Sequence, residues 1–266
     1  MSGALDGIRV IDFGQYIAGP LAAVMLADQG ADVVHVDPPG GPRWQHPSDA
    51  FFNRGKRRIT LDLKTPDGLE TAQRLIEGMD VVIENFRPGV MQRLGLGAEA
   101  MTQRNPALIY CSIPGFAPDD PRADMQAWEG IVDAATHNCT PRPGEEPPEW
   151  DWTRPFYSAV PLASNFGAFL GATGIVMALI ARHRTGLGQT VEVPLFDAMF
   201  TAIGANGLSV RNSKASGGRP NDFGGGIFQC ADGRWVQLAL AKPGFQVRFA
   251  KAAGPRRPAQ RRAAGD

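Results

Sequence analysis

The sequence predicts an α/β protein built on an open, mostly parallel, Rossmann-like sheet with helices on both faces. Short β-branched runs alternate with helix-forming segments between residues 8 and 113. The spacing of these runs suits βαβ units, which place consecutive strands parallel to each other. The apolar fraction of 43% and the charged fraction of 20% are those of a globular protein and exclude a disordered chain.

The individual elements follow from local patterns. Strands are predicted at 8–13, 32–36, 58–63, 81–83, 108–113 and 188–193. Helices are predicted at 21–28, 65–78, 88–94, 98–103, 160–181 and 197–210. The helix after Thr65-Pro66 has the strongest start signal, because Thr caps a helix well and Pro suits its first turn. Residues 115–154 show no helical or strand period and are interpreted as irregular.

The domain organisation changes after residue 210. The large α/β domain is expected over 1–210, and 222–253 is expected to form part of a smaller second domain. Residues 226–240 predict a hairpin that turns at Asp232-Gly233. Residues 254–266 are rich in Arg, Pro and Ala without apolar periodicity, which predicts a disordered tail.

The stretch from Val160 to Ala181 carries no charge and is long enough to cross a bilayer. Its content of Pro161, Asn165 and Thr173, with many Ala and Gly residues, favours a buried core helix instead. We therefore expect no membrane partner.

Charge and cysteine content narrow the function classes. Lys plus Arg and Asp plus Glu balance at 27 each, so nothing favours a general nucleic-acid binder. Cys111, Cys139 and Cys230 are odd in number and widely spaced, which favours a reducing compartment. The first residues lack the basic and apolar regions of a signal peptide, so a cytoplasmic location is expected.

Several runs of residues, in this order and spacing, carry a family resemblance. They are G-I-R-V-I-D-F at 7–13, A-G-P at 18–20, L-A-D-Q-G-A-D-V-V at 26–34, N-R-G-K-R at 53–57, L-D-L-K-T-P-D-G at 61–68, V-V-I-E-N-F-R-P-G-V-M-Q-R-L-G-L-G at 81–97, N-P-A-L-I-Y-C-S-I-P-G-F at 105–116, R-T-G-L-G-Q-T-V-E-V at 184–193 and A-D-G-R-W-V at 231–236. Together they resemble the class III CoA-transferase family, which includes formyl-CoA transferase, crotonobetainyl-CoA:carnitine CoA-transferase and α-methylacyl-CoA racemase.

The resemblance implies a ligand and a set of site residues. Coenzyme A would be bound as an acyl-CoA substrate, with a small carboxylic acid as the second substrate and without metal or NAD. The CoA site would comprise Ala18, Leu61, Lys64, Asn85, Phe86 and Arg93. A mobile glycine-rich lid would correspond to Gly224, Gly225 and Gly226, and the family forms interlocked homodimers. Family chains also continue past residue 253, so the small domain is expected to be truncated here.

The chemistry of CoA is compatible with the residues present. Its phosphates call for Arg, Lys and backbone N–H groups. Two basic clusters precede or follow predicted strands, namely Arg54, Lys56, Arg57 and Lys64, and Arg87 and Arg93. The loop after the first strand reads Gly14-Gln15-Tyr16, which does not match the dinucleotide fingerprint G-x-G-x-x-G.

The sequence departs from the family at the nucleophile. The resemblance implies an Asp carboxylate that attacks the thioester, and this position is occupied by Ser164. Ser164 would need a base, for which His137 is the candidate, and it also suits the N-cap of the long helix. Three functions therefore stay open: a CoA-transferase, a catalytically silent CoA-binding paralogue or subunit, and an acyl-CoA racemase or isomerase.

Overall fold

The computed structural model describes residues 3–136, 138–139, 157–158, 160–204, 225–239 and 243–254. The chain divides into two compact units. The first comprises Met1–Cys139 and Tyr157–Leu208, and the second comprises Thr140–Phe156 and Ser209–Asp266. The predicted tail lies outside the described residues except for Gly254.

The first unit contains six strands and eight helices within its described residues. The strands are β1 (Arg9–Asp12), β2 (Asp32–Asp37), β3 (Arg57–Thr60), β4 (Val81–Glu84), β5 (Ile109–Ser112) and β6 (Thr190–Glu192). The helices are α1 (Ala18–Ala27), α2 (Asp49–Phe52), α3 (Pro66–Glu77), α4 (Val90–Arg93), α5 (Ala98–Arg104), α6 (Glu129–Ala135), α7 (Leu162–Thr185) and α8 (Leu195–Ile203).

The six strands form one parallel sheet in the order β3-β2-β1-β4-β5-β6. In the register between central strands, Val10 lies beside Val33 on one side and Val81 on the other. The sheet grows outward from β1 in both directions, so the strand order reverses between β1 and β4. Ligands of open α/β sheets bind at the carboxyl edge of such a reversal.

Helices cover both faces of the sheet, as the sequence predicts. Alternate residues of each buried strand face opposite sides, so Val10 and Ile83 join one core cluster while Ile11 and Val82 join the other. The first cluster includes buried side chains of α1, α7 and α8. The second includes Ala72 of α3 and Met101 of α5. Both faces of the four central strands are therefore mostly buried, as is typical of parallel sheets, while the edge strands β3 and β6 are largely exposed.

Helix α7 packs closely against the sheet and α8 because its inward face is made of small residues. Gly167, Gly171 and Gly174 lie so close to the sheet and α8 that an added Cβ would come within 2.6, 2.9 and 2.7 Å of Leu195, Ile113 and Val191, respectively. By length and composition α7 could cross a membrane, and 44% of its most apolar window is buried inside the protein. The outward face exposes Phe169, Val176, Met177 and Ile180.

The second unit contains an antiparallel hairpin, β7 (Gly225–Gln229) and β8 (Trp235–Ala239), in its described residues. The turn falls at Asp232-Gly233 as predicted, with Gly233 at φ 81°. A further helix, α9 (Pro243–Ala253), was not predicted. The same is true of α2 and α6, which are only four and seven residues long. Such short helices carry too little apolar periodicity to be recognised.

Candidate functional site

The candidate site is the carboxyl edge of the sheet where the strand order reverses, at the loops that follow β1 and β4, and we call this edge the crevice. Asn85 joins the two loops with its side-chain amide. Its Oδ1 accepts a hydrogen bond from the Gln15 backbone N–H at 2.8 Å, and its Nδ2 donates to the Gln15 carbonyl at 2.8 Å. The two loops, 70 residues apart in sequence, are therefore held as one wall.

Two glycines allow the β1–α1 loop to fold tightly against the start of α1. A Cβ on Gly14 would come within 2.7 Å of both the Gly19 Cα and the Asp12 Oδ1. Tyr16 adopts a left-handed φ of 65°, which is costly for a side chain of this size. The tight loop brings Ala18, predicted to line the CoA site, to the first position of α1, where it is buried.

A cleft beside this loop is lined by residues of the β1–α1 loop, of β2 and of the segment before β3. They are Gly14, Gln15, Tyr16, Pro20, His35, Pro42, Arg43, Trp44, Asp49 and Asn53. Within it the Trp44 and His46 rings stack with centroids 4.9 Å apart. This wall was not predicted, because residues 38–53 have no regular pattern.

The predicted apolar members of the site share one position in the fold. Leu61 follows β3 and Phe86 follows β4, and both are half-buried against the second core cluster. They therefore lie at the carboxyl edge of the sheet and retain exposed surface.

The basic residues divide into paired and unpaired groups. Arg54 pairs with Asp28, and Arg57 pairs with Asp32. Lys64 and Arg93 are exposed and have no ion-pair partner among the described residues. Lys64 and Arg93 are therefore the stronger candidates for a phosphate contact, and a phosphate-binding role for the two predicted basic clusters stays a prediction.

Lys56 belongs to the interior rather than to a phosphate site. Its side chain is 0% exposed, and Nζ donates to Asp12 Oδ2 at 2.8 Å, to the Pro20 carbonyl at 2.8 Å and to Asn53 Oδ1 at 3.2 Å. His35 Nδ1 lies 2.8 Å from the same Asp12 oxygen. Burial by itself would raise the pKa of Asp12, but Lys56 and His35 together hold it below its usual value. This buried network fixes β1, β2 and the start of α1 beneath the crevice.

Ser164 lies in the first turn of α7 but is not its N-cap, which is Pro161. The N-cap prediction is therefore wrong. The first turn is capped instead by Glu129 of α6, whose Oε1 accepts from Ala163 N–H at 2.7 Å. Glu129 Oε2 accepts from Ser164 N–H at 3.0 Å and from Ser164 Oγ at 2.7 Å.

The Glu129–Ser164 pair is buried, since the two residues are 6% and 7% exposed. The carboxylate is the hydrogen-bond acceptor of the Ser164 hydroxyl and also accepts two backbone N–H groups of the first turn of α7. The predicted alternative base, His137, lies outside the described residues. Sequence reasoning missed Glu129 because it falls in the segment without periodic pattern.

Glu84 is a second carboxylate that sequence reasoning missed. It ends β4 and is 5% exposed. Burial raises its pKa to about 7, although hydrogen bonds from the Ser112 hydroxyl and the Phe86 N–H oppose the increase. The only sequence signal for a role of Glu84 at the site was its position directly before the predicted site residues Asn85 and Phe86.

The predicted lid is only partly described. Gly224 lies outside the described residues, and Gly225 and Gly226 begin strand β7, paired with Ala239 and Leu238. These two glycines are thus in a strand rather than a loop, and a lid role for them stays a prediction.

The fold is that of an open α/β protein, and the carboxyl edge of its sheet is the candidate ligand site. The chain matches the model of CoA-transferase family III over residues 5–265. It belongs to this family, as the sequence runs predicted.

Individual relatives agree with the family. The chain is 45% identical to "CoA-transferase/lyase DddD" of Marinomonas sp. (strain MWYL1) over 213 residues, which cover 77% of this chain and 24% of that protein. It is 38% identical to "Succinate--glutarate CoA-transferase" of Agrobacterium fabrum, covering 75% of this chain and 52% of that protein. The crystal structure of a CAIB/BAIF family protein from Brucella suis superposes with a TM-score of 0.74 at 32% identity, over 90% of this chain and 66% of that one. The chain spans about half, or less, of the length of these two curated relatives.

Proposed function

We propose that the chain binds coenzyme A thioesters in the crevice between β1 and β4 and takes part in moving CoA between an acyl-CoA and a carboxylic acid. The observation that carries this proposal is the group of polar, apolar and cationic side chains that follow β1, β3 and β4. Asn85 clamps its two loops, Leu61 and Phe86 offer half-buried apolar surface, and Lys64 and Arg93 are unpaired cations at the same edge of the sheet. Unpaired cations suit phosphates, and apolar surface suits an adenine ring or the pantetheine arm.

Calorimetric titration of CoA into the wild-type chain and into Lys64→Ala and Arg93→Ala tests this site. Each substitution is expected to weaken binding about tenfold, as loss of a charge-assisted phosphate contact does. Arg184→Ala is the matched control, because Arg184 is an exposed cation at the far end of α7. Its neighbour Arg182 contacts Asp80 and Ala107, which precede β4 and β5, so this end of the helix lies at the opposite edge. Wild-type binding that neither substitution weakens would contradict the site.

One observation favours the catalytically silent alternative. The resemblance assigns the nucleophile position to Ser164, which has a hydroxyl in place of a carboxylate, and this hydroxyl donates a hydrogen bond to Glu129. A neutral serine oxygen accepts an acyl group only when a base removes its proton. Exchange of an isotope-labelled carboxylic acid into its acyl-CoA by the wild-type chain would show a transferase. CoA binding without exchange would show a silent paralogue, and loss of α-deuterium without exchange would indicate a racemase.

We further propose a cytoplasmic homodimer. The three cysteines are free, which suits a reducing compartment. The outward face of α7 exposes four large apolar side chains, which suits contact with a second copy.

A further inference from the structure

Glu84 accepts two hydrogen bonds, one at each oxygen of its carboxyl group. Oε2 accepts from the Phe86 backbone N–H at 2.8 Å, and Oε1 accepts from the Ser112 hydroxyl of β5. The carboxyl group thereby closes the chain turn directly after β4 and ties it to the neighbouring strand. The backbone continues this link, since Ile113 N–H donates to the Glu84 carbonyl at 2.9 Å.

The turn that Glu84 closes carries two residues of the proposed CoA crevice. Asn85 is the clamp to Gln15, and Phe86 offers half-buried apolar surface. The peptide between these two residues sets where both side chains begin, so an acceptor for the Phe86 N–H bears on both. The Phe86 N–H, which points at Glu84, has this carboxyl group as its hydrogen-bond acceptor.

The buried carboxyl group is not explained as half of an ion pair. Among the described residues no cation lies within salt-bridge distance of it. The charged group that acts on it is Glu192 of β6, which has the same sign. A buried acid without a cation costs free energy when it ionises. The role of the Glu84 carboxyl group that the contacts support is therefore that of hydrogen-bond acceptor for the Phe86 N–H.

We propose that Glu84 is a positioning residue of the CoA crevice, holding Asn85 and Phe86 in place through the Phe86 N–H without touching the ligand. This assignment rests on the proposed CoA-binding function. It applies to the protonated and the ionised acid alike. When protonated, Oε1 donates to the Ser112 hydroxyl while Oε2 still accepts from Phe86.

A glutamine has the same two hydrogen-bonding ends, so Glu84→Gln preserves the link and removes only the charge. Its Oε1 can accept from Phe86 N–H while its Nε2 donates to Ser112 Oγ. Glu84→Met fills a similar volume and removes the acceptor. Glu192→Ala is the matched control, because it removes an acid at the same edge that makes no hydrogen bond to the turn.

The test combines CoA titration with amide hydrogen exchange at Phe86 and with thermal unfolding to verify folding. We expect Glu84→Gln and Glu192→Ala to bind CoA within about twofold of the wild type, and Glu84→Met to bind about tenfold or more weakly with faster exchange at Phe86. If Glu84→Gln binds CoA like the wild type while Glu84→Met does not, the hydrogen-bond acceptor and not the charge of Glu84 positions the turn.

The possible failures are distinguishable. If the wild type does not bind CoA, the proposed function falls and this assignment with it. If the wild type binds CoA and folded Glu84→Met binds equally well, only the positioning role is overturned. Glu84→Gln binding as weakly as Glu84→Met would also overturn it. Should Glu84→Met not fold, an unprotected Phe86 amide in the wild type or loss of binding in Glu84→Gln still decides against the role.

Discussion

At the scale of single residues, buried polar groups define the region under the crevice. Lys56, Asp12 and His35 form one network at the ends of β1 and β2, and Glu84 serves the turn after β4. Each is placed by contacts with residues distant in sequence. Removing one partner from such a buried network costs more free energy of unfolding than breaking a surface pair, because water does not replace the lost partner.

Lys56 and Arg57 are sequence neighbours that test this difference directly. Lys56→Met would remove the Lys56 hydrogen bonds to the Pro20 carbonyl and Asn53 Oδ1, and would leave buried Asp12 with His35 and the Gly14 N–H but without its cation. We expect the free energy of unfolding to fall by about 3 to 5 kcal/mol, as when one partner of a buried ion pair is removed. Arg57→Ala breaks an exposed pair with Asp32 and should cost below about 1 kcal/mol. Urea unfolding measures both, and equal losses would contradict the structural role of Lys56.

Glu84 should give stability a pH dependence in a known direction. Its pKa is raised from 4.5 to about 7 in the folded protein, so the folded state binds the proton more tightly than the unfolded state. The stabilising contribution is complete below about pH 4.5 and is lost as the pH rises through 7. Relative to Glu84→Gln, the wild type should lose about 3 kcal/mol between pH 5 and pH 8.

The measurement is urea unfolding of both proteins at intervals across this range. Glu77→Gln, which removes a surface acid paired with Arg104, should follow the wild-type profile. A constant difference between the wild type and Glu84→Gln would show that Glu84 does not titrate in this range.

At the scale of elements, α7 is the packing centre of the first unit. Its glycine-lined face allows it to lie close against the sheet and α8, while its opposite face is apolar and exposed. A glycine costs helix stability by about 1 kcal/mol relative to alanine, so these glycines are retained for the space that they leave.

Gly174→Ala should therefore destabilise the protein although alanine is the better helix former. The new methyl group would lie 2.7 Å from Val191 Cγ1, and the β-branched valine has little freedom to move away. We expect a net loss of about 1 to 3 kcal/mol in the free energy of unfolding. Thr173→Ala, one position away on the exposed face, should change it by less than about 0.5 kcal/mol. Thermal or urea unfolding would contradict the packing argument if Gly174→Ala were the more stable of the two.

The elements also show which features sequence reasoning can predict. Helix α3 was predicted from Thr65 and Pro66, and Thr65 Oγ1 does accept from the Gly68 N–H at 3.2 Å. All information for this helix start lies within four residues. Helix α6 was missed because seven residues with one apolar pair give no period, and the site residue Glu129 was missed with it.

The candidate site was harder to predict from the sequence than the fold, because its contacts join residues that are distant in sequence. The Asn85–Gln15 clamp joins residues 70 apart, and Glu129 reaches Ser164 across 35. Contacts of this kind depend on the strand order. Ser164 was predicted near the start of the long helix, but as its N-cap rather than in its first turn, and its partner Glu129 could be found only from the packing of α6 against α7.

At the scale of the whole molecule, the sheet brings the groups of the crevice to one edge, and α7 brings Ser164 and Glu129 together at its first turn. This chain belongs to CoA-transferase family III, and our interpretation that Ser164 occupies the position of the Asp nucleophile stays a prediction. If the remaining site is intact, restoring a carboxylate at position 164 should restore the chemistry.

We expect Ser164→Asp to gain exchange of a labelled carboxylic acid into its acyl-CoA, since a carboxylate can accept the acyl group and release CoA as its thiolate. Ser164→Asn, which has the same shape without the charge, is the control and should show none. The new carboxylate would lie beside Glu129, and two like charges at this distance raise the pKa of one of them. Exchange should therefore increase with pH as the second proton is lost, and Ser164→Asp combined with Glu129→Gln should be active at lower pH. A folded, CoA-binding Ser164→Asp variant without exchange would show that the missing carboxylate is not what separates this chain from an active transferase.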